Sequence, residues 1–126
     1  MPTFVIGGTG FIGRRLVRLL AREGEPVTCL VRPSTRPPDF APGVTVVHGD
    51  VARFDDVVAG MAAAKATRAV NLSYLLGSDN APHHAHAVNV LGMDNFFEAA
   101  RLLGVGRIVY ASSLAVVGLQ QHSASD

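Results

Sequence analysis

Three glycines near the amino terminus have the spacing of a phosphate-binding turn. Gly7, Gly10 and Gly13 follow a short apolar run and open a segment with helical periodicity. In such a turn the first glycine permits a tight bend, the second lets backbone approach a pyrophosphate, and the third lets helix pack on strand. Backbone N–H groups and the positive end of the helix dipole then face the phosphates. The spacing predicts a dinucleotide-binding turn, and a glycine-rich turn without a ligand is the alternative.

The residue that ends the second apolar run bears on which dinucleotide is bound. An acidic side chain there would accept hydrogen bonds from the adenosine ribose of NAD(H). This chain has Arg32 instead, and a guanidinium can make a bidentate charged contact with the 2′-phosphate of NADP(H). Arg36 can add a second contact from the following loop. We therefore favour NADP(H) over NAD(H) as the cofactor, with a solvated strand-end arginine as the alternative.

Short apolar runs alternate with helical segments along the chain. This alternation predicts an α/β fold, a doubly wound parallel sheet with helices on both faces. The predicted strands are Thr3–Ile6, Pro26–Val31, Val44–His48, Arg68–Ser73 and Arg107–Ala111. The predicted helices are Phe11–Arg22, Phe54–Ala64 and His84–Leu103. No repeat or linker interrupts the pattern, so we expect one domain over residues 1–126.

Helical periodicity also predicts which side of each of two helices is buried. In the first helix the apolar positions that share a face are Ile12, Leu16, Leu19 and Leu20. In the last helix they are Val88, Leu91, Phe96 and Ala100. We expect these two faces to pack on the sheet.

Composition and charge exclude several classes of function. The 126 residues carry 11 basic and 10 acidic side chains, a formal net charge of +1, which gives no electrostatic case for binding nucleic acid or an anionic membrane. No apolar run reaches the roughly 18 residues that span a bilayer, and we see no signal peptide. The single cysteine, Cys29, lies in an apolar run and is interpreted as a small buried hydrophobe. We expect a cytoplasmic protein.

Three histidines lie near the start of the last helix, and histidine is a common metal ligand. His83 and His86 can share a helix face, and His84 lies between them. No cysteine or second acidic cluster completes a ligand set. The sequence therefore predicts no metal, and a solvated helix start explains the cluster.

Five motifs occur in order across essentially the whole chain. They are Val5–Gly13, His48–Val51, Asn71–Tyr74, Asn89–Ala100 and Arg107–Gly118. Together they resemble the extended short-chain dehydrogenase/reductase family, which holds nucleotide-sugar epimerases, dehydratases and related reductases. Ile6 and Val117 depart from the family pattern, since Thr and Tyr are common at those positions. The resemblance implies a Rossmann fold with strands in the order 3-2-1-4-5.

The resemblance also implies roles for individual residues. Asp50 and the backbone N–H of Val51 would contact adenine, and the segment containing Asn71 and Ser73 would lie along the cofactor. The full set of expected cofactor-binding residues is Gly7, Gly10, Phe11, Ile12, Gly13, Arg32, Asp50, Val51, Asn71 and Ser73. Ser113 occupies the position of the catalytic serine, which would hydrogen-bond the substrate's carbonyl or alcohol oxygen. Alternatively, Ser112 and Ser113 satisfy the backbone of a turn.

The family's general acid or base is a tyrosine followed four residues later by a lysine on the same helix face. The two tyrosines of this chain, Tyr74 and Tyr110, are followed at that distance by Ser78 and Leu114. The pair is absent from the sequence, and in the family it lies beyond the serine, which here falls past Asp126. We therefore expect this chain to be the NAD(P)-binding portion of a larger epimerase, dehydratase or reductase, and to be inactive alone. The longer protein would act on a small-molecule substrate, and nucleotide-sugars are one candidate class.

Other hypotheses remain for the chain as a whole. It can be a non-catalytic NADP(H)-binding redox sensor or regulatory module, or a purely structural fragment. In the expected strand order the fifth strand lies at a sheet edge, where Ile108–Tyr110 would present unpaired backbone. We therefore expect a homo-oligomer formed through this edge or its exposed face.

Overall fold

Five parallel strands form one sheet with helices on both faces. The computed structural model describes residues 1–74 and 82–111, and the sheet order is β3-β2-β1-β4-β5. The strands are β1 Thr3–Ile6, β2 Val27–Val31, β3 Val44–His48, β4 Arg68–Asn71 and β5 Arg107–Tyr110. The helices are α1 Phe11–Arg22, α2 Phe54–Ala63, α3 Pro82–His86 and α4 Gly92–Leu103, with a π-helical turn over Ala87–Leu91. The expected Rossmann fold and strand order are confirmed.

Three strand boundaries differ slightly from those predicted: β5 ends at Tyr110, one residue early, and the other two differ for local reasons. β2 begins at Val27 because Pro26 has no N–H for the ladder, although its carbonyl accepts a 2.9 Å hydrogen bond from the N–H of Thr3. β4 ends at Asn71 because the Asn71 side chain captures the N–H of Ser73 at 2.9 Å. The chain leaves the sheet there.

β4 ends level with β1, and β2 runs one residue further. Ile6, the last residue of β1, is paired with Leu30 of β2 on one side and with Asn71 of β4 on the other. In a parallel sheet, ligands bind outside such carboxyl ends, at the point where the strand order reverses. That point lies between β1 and β4 here.

The sheet separates two hydrophobic cores. Alternate residues of a strand point to opposite faces, so Phe4 packs toward α2 and α4 while Val5 packs toward α1. Both side chains are fully buried. The central strand is therefore apolar on both faces, as parallel strands covered by helices require.

Two of the four side chains predicted for the buried face of α1 are exposed. Ile12 and Leu19 are 66% and 53% exposed, whereas Gly13, Val17 and Leu20 are buried. Gly13 sets this rotation, because it is the position at which the helix meets the glycine turn without a side chain in the way. The buried stripe then follows at one-turn intervals from Gly13.

The π-helical turn accounts for a second error in the predicted faces. Val88, Phe96 and Ala100 are buried as predicted, but Leu91 is 46% exposed. A π turn takes more residues per revolution than an α turn, so the inward position after Val88 falls to Gly92, which is buried. A Cβ atom on Gly92 would lie 3.0 Å from the Val51 side chain, so the helix approaches closely there.

β5 forms one edge of the sheet. Within residues 1–74 and 82–111 it pairs only with β4, and Ile108, Val109 and Tyr110 are 39–50% exposed. Tyr110 makes an edge-to-face ring contact with Phe97 of α4, with centroids 5.1 Å apart. The expectation of an exposed apolar strand is thus met in the described part of the chain.

The helices among the described residues are all too short or too polar to span a bilayer.

Candidate functional site

A cavity of about 290 Å³ lies at the carboxyl ends of β1, β2 and β4. Its walls come from the glycine turn, the ends of these strands, the turn after β3 and the π-helical turn. The lining residues are Ile6, Gly7, Thr9, Gly10, Leu30, Val31, Arg32, Thr35, Gly49, Val51, Leu72, Ser73, Tyr74 and Val88. Five of the ten predicted cofactor-binding residues therefore line one cavity, namely Gly7, Gly10, Arg32, Val51 and Ser73.

The glycine turn is packed too tightly for side chains at two of its positions. Gly7 has a φ of +87°, and a Cβ atom on it would lie 2.7 Å from the backbone of Leu72 and Ser73. A Cβ on Gly13 would lie 1.9 Å from the carbonyl oxygen of Gly7. Contacts this short exclude every residue except glycine without a backbone shift. The turn is therefore pressed against both α1 and the end of β4.

The amino terminus of α1 opens toward this turn. Gly10 is its N-cap residue, and no side chain in the described residues caps the helix. The first N–H groups of a helix have no acceptor within it, so those of Phe11 and Ile12 can meet an anion. The side chains of these two residues are 69% and 66% exposed, and the Arg15 guanidinium carbon lies 4.4 Å from the Phe11 ring centroid. Their cofactor-binding role stays a prediction.

Arg32 follows β2 directly and is exposed at the cavity wall. The N–H of Thr35 donates to the Arg32 carbonyl at 3.0 Å, and this turn brings Thr35 to the cavity as well. Arg32 Nη1 lies 2.9 Å from Nε2 of His84 on α3. Arg36 is exposed on the loop beyond this turn.

Asp50 and Val51 lie in the turn between β3 and α2 and make different contacts there. The carboxylate of Asp50 accepts a 2.9 Å hydrogen bond from the N–H of Ala52, and its own N–H donates to Asp56 Oδ2 at 2.9 Å. Val51 is 5% exposed and lines the cavity. Its carbonyl accepts a 2.9 Å hydrogen bond from Asn95 Nδ2 of α4. Asp50 thus shapes the turn that presents Val51.

Asn71 organises the end of β4 from a buried position. It is 1% exposed, and its Oδ1 accepts hydrogen bonds from the N–H and the hydroxyl of Ser73, at 2.9 and 2.6 Å. Its Nδ2 lies 3.7 Å from the Met93 sulfur. Ser73 lines the cavity, so Asn71 acts on the site through Ser73.

Ser112 and Ser113 lie outside the described residues, as does Val117. The predicted role of Ser113 stays a prediction. Among residues 1–74 and 82–111, no group of three or more His, Cys, Asp or Glu side chains is placed to hold a metal ion.

Cys29 has no access to the cavity. Its side chain is fully buried in the core beneath α1, and burial raises the pKa of the thiol to about 12. A protonated, buried thiol is neither a nucleophile nor a ligand at neutral pH. Its interpretation as a small hydrophobe fits this environment.

Several residues that line the cavity were not predicted from the sequence. Leu30 and Leu72 lie at carboxyl ends of strands, a position that already marks ligand-facing residues in such sheets. Thr9 belongs to the glycine turn itself. Val88 depends on the π-helical turn, for which the sequence carries no signal that we recognise.

The chain matches the NAD dependent epimerase/dehydratase family over residues 3–126. It is 33% identical over 122 residues to the 2-alkyl-3-oxoalkanoate reductase of Stenotrophomonas maltophilia, covering 97% of this chain and 36% of that protein. The UDP-glucose 4-epimerase of Thermus thermophilus, solved with NAD, superposes with a TM-score of 0.78 at 28% identity, covering 90% of this chain and 38% of that one.

A third similarity concerns the fold alone. The Bordetella bronchiseptica enzyme WbmH, solved with NAD⁺, has a TM-score of 0.83 at 23% identity, covering 93% of this chain and 40% of that one. The chain thus spans between a third and two fifths of the length of these three proteins. The family match over nearly every residue places the chain in the NAD dependent epimerase/dehydratase family.

Proposed function

We propose that this chain is the dinucleotide-binding portion of an epimerase, dehydratase or reductase, and that its cavity holds the adenosine half of NADP(H) or NAD(H). The observation that carries this proposal is the glycine turn, which has no room for side chains at Gly7 or Gly13 and directs the uncapped end of α1 toward the cavity. Relatives of both the reductase and the epimerase kind support it.

The residues present fit a dinucleotide in a defined orientation. The pyrophosphate would lie against the first N–H groups of α1, and the adenine would pack between the apolar walls that Leu30 and Val51 supply. The ribose would then lie next to Arg32, and the nicotinamide half would extend past Ser73. When bound, the nicotinamide supplies hydride transfer to or from a carbinol carbon.

Arg32 is the reason for preferring NADP(H). A guanidinium at the wall is complementary to a 2′-phosphate and offers no acceptor to a ribose 2′-hydroxyl. Asp50, the acidic side chain nearest to this wall in sequence, is hydrogen-bonded within its own turn. The two solved relatives named above carry NAD or NAD⁺, so this choice would distinguish the present chain from them.

Calorimetric titration of the purified chain with NADPH and with NADH tests both parts of the proposal. We expect NADPH to bind more tightly, and Arg32→Asp to weaken NADPH while sparing or improving NADH. Binding of neither dinucleotide would contradict the proposed function. Tighter binding of NADH would contradict the NADP(H) preference only.

We infer further that the chain is inactive on its own. In the longer protein, Ser113 would hydrogen-bond the oxygen of a small-molecule substrate, with nucleotide-sugars one candidate class. The Tyr-x-x-x-Lys pair that would move the proton is not in the sequence. A chain that binds NADPH without oxidising or reducing any carbonyl or alcohol substrate is the expected behaviour.

Self-association through β5 belongs to the same proposal. The strand's exposed apolar residues and free backbone edge favour pairing with a second copy when no further strand covers them.

A further inference from the structure

One contact joins the two sides of the cavity mouth. Arg32 Nη1 and His84 Nε2 are 2.9 Å apart, although 52 residues separate them in sequence. A guanidinium has N–H donors and no acceptor. The hydrogen bond therefore runs from Arg32 to His84, whose imidazole accepts through Nε2 and is neutral in this contact.

His84 is exposed and is not among the residues that line the cavity. Val88, four residues later, is buried and lines it. Arg32 lines the same cavity from the end of β2. The hydrogen bond thus crosses the mouth at the place where the adenosine ribose would lie in the proposed binding mode.

The contact matters because an exposed arginine otherwise samples many rotamers. Holding such a side chain in one geometry costs conformational entropy when the ligand binds. His84 engages one of the five guanidinium N–H groups, and within the described part of the chain the other four have no partner and can meet phosphate oxygens. A contact that already restricts Arg32 in the free protein lowers the ordering cost of binding a 2′-phosphate.

We propose that His84 is a positioning residue for cofactor choice, which holds the Arg32 guanidinium where it favours a 2′-phosphate over a 2′-hydroxyl. This inference rests on the proposed function, because it presumes that a dinucleotide occupies the cavity. NADH has no 2′-phosphate, so the contact contributes to NADPH binding and leaves NADH binding unaffected.

Neighbouring histidines supply matched controls. His83 and His86 are exposed on the same short helix, and among the described residues the histidine that contacts Arg32 is His84. Substitution of His83 changes the helix composition and removes an imidazole, as substitution of His84 does, without touching Arg32.

The test compares NADPH and NADH affinities, measured by calorimetry, for the wild-type chain and for His84→Leu, His84→Gln and His83→Leu. We expect His84→Leu to raise the Kd for NADPH by about three- to tenfold, since binding must then order an Arg32 side chain that nothing restrains beforehand. The Kd for NADH should stay unchanged. His84→Gln, whose amide oxygen can accept from Arg32, should recover most of the NADPH affinity, and His83→Leu should alter neither value.

A double-mutant cycle separates positioning from a structural effect. In an Arg32→Ala background, His84→Leu should have no further effect on NADPH. The inference is overturned if His84→Leu leaves NADPH binding unchanged, if it weakens NADPH and NADH equally, or if its effect persists without Arg32. A wild-type chain that binds neither dinucleotide would overturn the proposed function and this inference together, whereas intact NADPH preference in His84→Leu would overturn the inference alone.

Discussion

The carbonyl oxygen of Gly7 occupies the space that a side chain on Gly13 would need, with only 1.9 Å between that oxygen and an added Cβ. The glycine turn and the first turn of α1 are therefore in direct backbone contact. This contact sets the position of the helix terminus relative to β1, and so the direction in which its N–H groups point.

Gly13→Ala should consequently displace α1. We expect a loss of about 1–3 kcal/mol in the free energy of unfolding, as for overpacking of a close-packed core, together with loss of measurable NADPH binding. Urea unfolding followed by circular dichroism measures the first effect, and calorimetry the second. Wild-type stability in this variant would show that the backbone contact can relax at no cost.

Gly10→Ala is the informative contrast. A Cβ on Gly10 would lie 3.5 Å from its nearest neighbour, an ordinary contact, and its φ of −79° suits any residue. We expect a loss of about 1 kcal/mol or less in the free energy of unfolding, since alanine is a poorer N-cap than glycine, but at least tenfold weaker NADPH binding, because the methyl group would lie between the backbone and the pyrophosphate. Unchanged affinity would place the pyrophosphate elsewhere.

Asn71 should matter more for stability than its half-buried partner Ser73 does. Asn71→Leu removes the acceptor for two donors of Ser73 in a buried setting, and we expect a loss of about 1–3 kcal/mol. Ser73→Ala removes only the hydroxyl donor and should cost about 1 kcal/mol or less. Chemical denaturation of the two variants gives the comparison, and equal losses would show that Asn71 does not organise this turn.

The Cys29 thiol should be unreactive in the folded chain. Burial raises its pKa to about 12, so the protonated form is favoured by folding and almost no thiolate exists at pH 8. A thiol-specific disulfide reagent should label it only after denaturant is added. Because the folded pKa lies above the unfolded value, near 8.5, this group's contribution to stability is fully present below about pH 8.5 and is lost as pH rises toward 12. Rapid labelling of the native chain at pH 8 would contradict the burial.

The exposed edge at β5 predicts concentration-dependent association. Analytical ultracentrifugation at micromolar concentration should show a dimer or larger species, and Val109→Lys should shift it toward monomer, since charged residues on an edge strand oppose pairing. Val109 is 50% exposed, so the substitution should leave the fold intact. A wild-type chain that sediments as a monomer would contradict the prediction.

The strands could be predicted from the sequence because apolar runs in a parallel sheet are nearly continuous and the glycine spacing fixes the first turn, and their order followed from the family resemblance. The rotation of α1 could not, since periodicity placed Ile12 and Leu19 on the buried face and left Val17 out of it. What decided it was the backbone contact at Gly13, which depends on three-dimensional proximity.

The candidate site likewise combines residues that the sequence predicts with a contact that it does not. Gly7, Gly10, Arg32, Val51 and Ser73 were found from spacing and resemblance, and all of them line the cavity. The hydrogen bond between Arg32 and His84 joins segments far apart in sequence. Nothing in the local pattern of the histidine cluster distinguishes His84 from its neighbours.

Five side chains belong both to a hydrophobic core and to the cavity wall, namely Ile6, Leu30, Val31, Val51 and Val88. A ligand seated against them would be coupled to folding, so occupancy should raise the temperature of unfolding. Substitutions at these positions would lower the free energy of unfolding. Arg32 and His84, at the solvent-exposed rim, are under no such constraint. Cofactor preference can therefore diverge among proteins of this fold through the rim alone, while the interior that supports it stays the same.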